Sequence, residues 1–114
     1  MLTTTAEHAL AVEVTQHRTG TLVTVCGEVD LLTCPRLSAT LDRVTAGFAS
    51  EVEVDLSGVT FFGCRGAAVL ARAAGRARRR GGRLTVLGAT RLVRVVLRVA
   101  GLDRLLDDRQ AWSA

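Results

Sequence analysis

Four residue types are missing from this chain of 114 residues, since it holds no lysine, isoleucine, asparagine or tyrosine. Aromatic residues make up only 4% of it. Single-stranded nucleic acid is bound largely by stacking of bases on aromatic side chains, so this scarcity argues against a nucleic-acid partner. The fifteen strongly basic residues are all arginine. Codon bias in a GC-rich genome accounts for that choice, so the formal charge of +4 is weak evidence for binding nucleic acid.

Long hydrophobic runs are also missing. Arginine or glycine interrupts every apolar stretch before it reaches the roughly 18 residues that a membrane span needs. Residues 1–8 do not follow the basic-then-apolar order of a signal peptide. We therefore expect a cytoplasmic protein that does not insert into a membrane. The length predicts a single domain over 1–114, with frayed ends at 1–8 and 107–114.

The sequence contains no recognisable pattern for metal binding or catalysis. Cys26, Cys34 and Cys64 are widely spaced, and none forms a CxxC pair. His8 and His17 have no companion ligands nearby. A zinc site is unexpected on this spacing, a disulfide is unexpected in a reducing compartment, and no cofactor is predicted. Neither a G-x-S-x-G elbow nor a Walker-type phosphate loop occurs, so we expect a protein that is not an enzyme.

Hydrophobic periodicity predicts the element order β-β-α-β-α-β-α. Strands are predicted at 10–16, 22–26, 51–56 and 83–87. Helices are predicted from Thr33 to Gly47, at 64–80, and from a cap at Thr90 to Ala100. A last helical turn is predicted at 102–106. The first two strands form an antiparallel hairpin around Gly20. Strands that alternate with helices imply parallel pairing with right-handed crossovers. We expect an α/β fold with a mixed sheet of four or five strands.

Apolar spacing also predicts which side chains face the core. Strict alternation at 51–56 places Val52, Val54 and Leu56 on one buried face. Helical spacing predicts that five residues of the last helix point inward: Leu92, Val93, Val96, Leu97 and Ala100. The arginines of that helix at 91, 94 and 98 then form its solvated face.

Four short motifs resemble those of the STAS domain of bacterial anti-sigma factor antagonists, over nearly the whole chain. They are G-E-V-D at 27–30, D-L-S-G-V-T-F at 55–61, G-G-R-L at 81–84, and A-G-L at 100–102 followed by Leu105 and Leu106. The resemblance implies the STAS fold and a function in binding. Antagonists of this family bind an anti-sigma factor that is a serine kinase of the GHKL type, and thereby free a sigma factor. Phosphorylation of the first hydroxyl residue in a D-S-S-G or D-S-T-G motif releases the kinase.

The sequence departs from the family pattern at the phosphorylation motif. Gly63 stands where the family has aspartate, Cys64 stands at the phospho-acceptor position, and Arg65 replaces the second hydroxyl residue. The resemblance therefore implies that the usual serine phosphorylation switch is absent. For Cys64 itself three interpretations remain. It is a small half-buried residue at a crowded helix start, a redox-sensitive thiol favoured by the helix N-terminus and Arg65, or a direct partner contact.

The resemblance also implies a partner-binding surface around the start of the second long helix. Its candidate residues are Asp30, Thr60, Phe62, Gly63, Cys64, Arg65, Gly66, Arg72 and Arg76. The arginines at 65, 72 and 76 share a helix side, which suits either an acidic partner or plain solvation. Gly66 is also explained by close packing at the helix start. The predicted function is an antagonist-like regulator without the phosphorylation switch. The alternatives are a STAS subunit that regulates an ABC-type transporter, and a thiol- or anion-responsive sensor.

Overall fold

The computed structural model describes residues 10–107 and confirms the predicted α/β order. Its elements are β1 (Leu10–His17), β2 (Gly20–Val29), α1 (Cys34–Val44), β3 (Glu51–Phe62), α2 (Cys64–Arg79), β4 (Arg83–Leu87), α3 (Arg91–Val99) and a 3-10 turn at Asp103–Leu105. The limits of β4 are those predicted. Helix α1 ends three residues before the predicted stop at Gly47.

The four strands form one mixed sheet in the order β1-β2-β3-β4. The β1–β2 hairpin is antiparallel, and the β2–β3 and β3–β4 pairs are parallel. After the 3-10 turn, Leu106 forms a parallel bridge with Val86, and the N–H of Asp107 donates to the Val86 carbonyl at 3.0 Å. Asp107 was predicted to be frayed, but these bonds hold it at the sheet edge. Residues 1–8 and 108–114, also predicted to be frayed, lie outside the described residues.

Strand β3 is twice as long as its alternating segment predicted. Val52, Val54 and Leu56 are buried as expected, but burial then recurs every third residue, at Val59 and Phe62. The pairing with β2 shifts register twice over this segment. Each shift adds one residue to β3, which is the geometry of a β-bulge. The predicted end of the strand at position 56 is therefore wrong, because the bulges continue the strand to the start of α2.

The core lies between the helices and one face of the sheet. The prediction of which α3 residues point into this core is partly wrong. Val93 and Leu97 are fully buried, whereas Leu92 is 41% exposed and Ala100 is exposed. Helix α3 fully buries only positions 93 and 97, and Val96 is partly buried against the core. The adjacent apolar stripe is left uncovered, and it consists of Leu92, Val95 and Val99. None of the helices within residues 10–107 has the length and apolar character required to cross a membrane.

The two predicted helix caps behave differently. The Thr90 hydroxyl accepts a hydrogen bond from the N–H of Val93 at 3.3 Å, so this cap is confirmed. Thr33 precedes α1 but makes no such cap bond. Its hydroxyl instead donates to the Glu28 carbonyl at 2.6 Å, because the turn before α1 folds back on the end of β2.

Candidate functional site

The candidate site lies where the parallel strands β2 and β3 end at the same edge of the sheet. Two segments meet there, the turn at 30–33 after β2 and the segment at 60–66 that ends β3 and starts α2. The N–H of Gly63 donates to the Val29 carbonyl at 3.3 Å and joins the two segments. We call residues 30–33 and 60–66 the carboxyl edge. Loops at this edge of an α/β sheet are a common location for ligand and partner sites.

Asp30 folds the first of these segments. Its Oδ1 accepts hydrogen bonds from the N–H groups of Leu32 and Thr33, both at 3.0 Å. These bonds, chiefly the one from the Thr33 backbone, hold the pKa of the Asp30 carboxyl below its ordinary value. Asp30 was predicted to contact a partner. In the structure its carboxylate shapes the turn that presents Leu31 and Leu32, and its contact with a partner stays a prediction.

Two predicted contact residues of the second segment are buried. The Phe62 side chain is only 1% exposed and belongs to the core, so its prediction as a surface contact is wrong. Gly66 is buried against it, and a Cβ at position 66 would lie 2.6 Å from Cε1 of Phe62. The close-packing explanation of Gly66 is the one that fits this geometry. Both residues therefore pack in the core below the exposed residues of the site.

The start of α2 reaches the surface. Gly63 occupies the N-cap position without a side-chain cap bond, and its carbonyl accepts from the N–H groups of Gly66 and Ala67. Cys64 and Arg65 are exposed, as is Thr60 at the end of β3. The half-buried interpretation of Cys64 is therefore wrong, because the structure places it as an exposed free thiol.

The predicted arginine stripe on α2 divides into two parts. Arg65 and Arg72 are exposed. Arg76 turns toward α1, where its Nη2 lies 3.4 Å from Oδ1 of Asp42. Its Nε is buried without a hydrogen-bond partner among the described residues. Arg76 therefore contacts α1 through this ion pair, and its part in a contact surface stays a prediction.

Three exposed apolar residues of the carboxyl edge were not predicted as site residues. Leu31 is 61% exposed, Leu32 is 74% exposed and Phe61 is 48% exposed. A signal for each was available. Two adjacent leucines in a short turn cannot both reach the core, and of two consecutive strand residues such as Phe61 and Phe62 only one faces inward. The site is thus an apolar surface beside a thiol and an arginine.

Within residues 10–107, no group of three or more His, Cys, Asp or Glu side chains could hold a metal ion. What the arrangement offers chemically is a preformed surface for contact with another molecule. Large exposed apolar side chains beside charged ones are typical of protein-binding surfaces.

Sequence comparison finds a family model described as Mlab, STAS domain, which matches residues 12–107. No curated protein matches the sequence. Among solved structures, the chain resembles an anti-sigma factor antagonist from Mycobacterium paratuberculosis, with 28% identity and a TM-score of 0.75, over 85% of this chain and 82% of that one.

Two further structures are of SpoIIAA, in its unphosphorylated and phosphorylated forms. The unphosphorylated anti-sigma factor antagonist has 17% identity and a TM-score of 0.74, over 85% of this chain and 86% of that one. The phosphorylated Bacillus cell fate determinant has 16% identity and a TM-score of 0.70, over 85% of this chain and 89% of that one. At these identities the likeness is one of fold.

Proposed function

The chain belongs to the STAS domain family, and from that membership we propose that it is a regulatory binding protein of the anti-sigma factor antagonist type. Its partner is an anti-sigma factor of the GHKL serine kinase type, and binding frees a sigma factor. The observation that carries the proposal is the carboxyl edge, where exposed apolar side chains lie on the same edge of the sheet as the position that the family phosphorylates. The structural likeness to an antagonist with 28% identity supports the same role.

The binding energy comes from the apolar side chains of the edge. Leu31 and Leu32 expose most of their surface and Phe61 about half, and covering them with a partner removes that surface from water. The Asp30 hydrogen bonds fix the turn that carries the leucines, so little conformational entropy is lost on binding. The protein thus acts by contact and carries out no catalysis.

Regulation differs from that of a phosphorylated antagonist. A phosphate group adds between one and two negative charges, which an interface must desolvate or reject. Cys64 has no hydroxyl to accept a phosphoryl group, and Gly63 supplies no carboxylate beside it. Thr60 and Ser57 are exposed, but both lie on β3 before the helix start. The protein therefore stays in its binding form when the kinase has ATP.

Affinity capture from a lysate of the source organism tests this function, first with ADP and then with ATP, with mass spectrometry of the bound proteins. We expect a GHKL-type kinase in both samples. Leu32→Asp places a charge on the apolar edge and should abolish capture. The matched control Val14→Asp changes an exposed apolar residue of β1, away from the edge, and should leave capture intact. Recovery of a transporter ATPase in place of a kinase would overturn the proposed partner.

A further inference from the structure

An apolar groove of about 540 Å³ lies between α2 and α3 and extends beyond the carboxyl edge. Cys64 stands at one end of it, where it meets the carboxyl edge. On α3 the lining includes the uncovered stripe described above, in which Val99 is 85% exposed and Val95 is 49% exposed. The main lining residues are Ala67, Ala68 and Ala71 of α2 and Val95, Val96 and Val99 of α3.

The surroundings of this groove carry charge of one sign. Between positions 56 and 102 the sequence contains ten arginines and no aspartate or glutamate. Arg65 and Arg72 directly follow the lining residues Cys64 and Ala71 on α2, and Arg98 directly precedes Val99 on α3. All three arginines are exposed. An occupant of the groove therefore meets an apolar floor with cationic borders, and anionic flanks would complement it.

The lining also restricts the backbone of the occupant. Both walls are helices, whose backbone N–H and C=O groups are already paired within the helix. An extended peptide laid between them would bury its own N–H and C=O groups without partners, which costs free energy. A helix satisfies its own backbone and can present an apolar stripe to the groove.

We propose that the α2–α3 groove binds an amphipathic helix with acidic flanks, supplied by the partner protein. This inference rests on the proposed function, since it assumes a protein partner, and it adds a second contact beside the carboxyl edge. A second copy of this chain is a poor occupant, because its own α2 and α3 carry positive charge and like charges would face each other. The concave shape fits a helix better than a flat membrane surface.

The test uses three labelled synthetic peptides and the full chain, with binding followed by fluorescence anisotropy. The first peptide has leucines at i, i+3, i+4 and i+7 with glutamates on both flanks. The second has the same composition in scrambled order, and the third replaces each glutamate with lysine. We expect only the first to bind, and its affinity to fall as salt is raised.

Substitutions on either side of the groove locate the binding. Val99→Asp should weaken the first peptide by at least about tenfold, because it places a carboxylate against the apolar stripe. Arg72→Glu should weaken it by a smaller factor. Phe48→Asp is the matched control, since Phe48 is an apolar residue as exposed as Val99 but lies outside both the groove and the carboxyl edge, and it should leave peptide affinity unchanged. Circular dichroism of each variant confirms that it is folded.

Four outcomes with the peptides and variants would overturn the inference, and a fifth with lipid vesicles would do so too. They are equal binding of the scrambled peptide, no binding of the first peptide, insensitivity to Val99→Asp, and self-association that Val99→Asp abolishes. Binding to anionic vesicles of phosphatidylglycerol in place of the peptide would overturn it in favour of a lipid surface. Failure here leaves the kinase capture and its Leu32→Asp dependence unaffected, so the two proposals can fail separately.

Discussion

Helix α2 meets its two neighbouring helices in different ways. On the α1 side the contact is closed, and the Arg76–Asp42 ion pair spans it. On the α3 side small alanines face an uncovered valine stripe, and a groove remains. The same helix therefore packs against α1 on one side and leaves an open groove beside α3 on the other. The comparison teaches that equal spacing along one helix does not give residues equal surroundings, since Arg76 lies against α1 whereas Arg72 is exposed.

The largest expected change in stability distinguishes the buried stripe of α3 from its exposed stripe. Leu97→Ala removes a fully buried side chain, and we expect it to cost about 2–5 kcal/mol of unfolding free energy. Val99→Ala trims the exposed stripe and should change stability by less than about 0.5 kcal/mol. Chemical denaturation of both variants measures the difference. Similar losses for the two would show that the groove stripe is part of the core after all.

The second largest loss of stability is expected at the start of α2, where Gly66 packs against Phe62. Gly66→Ala introduces a Cβ that would lie 2.6 Å from Cε1 of Phe62. We expect a loss of about 1–3 kcal/mol, since the ring has to move within a packed core. Gly75→Ala is a control on the same helix, because its Cβ would meet only the flexible end of Arg79 at 3.3 Å. An unchanged stability of Gly66→Ala would contradict the close packing.

A smaller, pH-dependent effect tests the turn at 30–33. The pKa of the Asp30 carboxyl is lowered in the folded protein, so its ionised form stabilises the fold above the ordinary pKa of 3.8. Asp30→Asn should therefore lower the Tm at neutral pH. The difference from the unsubstituted chain should shrink as the pH falls below 3.8 and through the folded-state pKa. Thermal unfolding across this range measures it, and a difference independent of pH would argue against the hydrogen-bonded carboxylate.

The smallest effect is expected at the closed side itself. The Arg76–Asp42 pair is partly exposed and its atoms are 3.4 Å apart, so its coupling energy should be about 0.5 kcal/mol. A double-mutant cycle with Arg76→Met and Asp42→Ala measures it, and Arg72→Met serves as the exposed control. A coupling energy of several kcal/mol would mean that the ion pair, and not apolar packing, closes this side.

Much of the fold was predictable because its signals are local. Strict alternation identified the buried face of β3, and the Thr90 cap identified the start of α3. The extent of β3 was not predictable, since the two bulges depend on its pairing with β2 and replace the period of two with a period of three. The error at Phe62 has the same origin. Without the register, a sequence does not tell which of Phe61 and Phe62 faces the core.

The candidate site was predicted in part for a similar reason. The motif comparison led to Cys64, Arg65 and Thr60, which are exposed at the carboxyl edge. The role of Arg76 could not be foreseen, because helical spacing places it beside Arg72 but does not reveal that α1 brings Asp42 against it. The groove was not predicted, because the sequence does not distinguish an exposed apolar stripe on α3 from a buried one until the helices packed beside it are known.

The most direct test of the account measures release of the captured kinase on addition of ATP. It compares the unsubstituted chain with the triple variant Gly63→Asp, Cys64→Ser, Arg65→Ser, which restores the family's D-S-S-G pattern at 63–66. The single variant Cys64→Ser serves as the intermediate case and should be phosphorylated poorly, because Gly63 and Arg65 remain. We predict that the unsubstituted chain stays bound with ATP, whereas the triple variant is phosphorylated and dissociates. Release of the unsubstituted chain by ATP, with a phosphate found on it, would contradict the central claim.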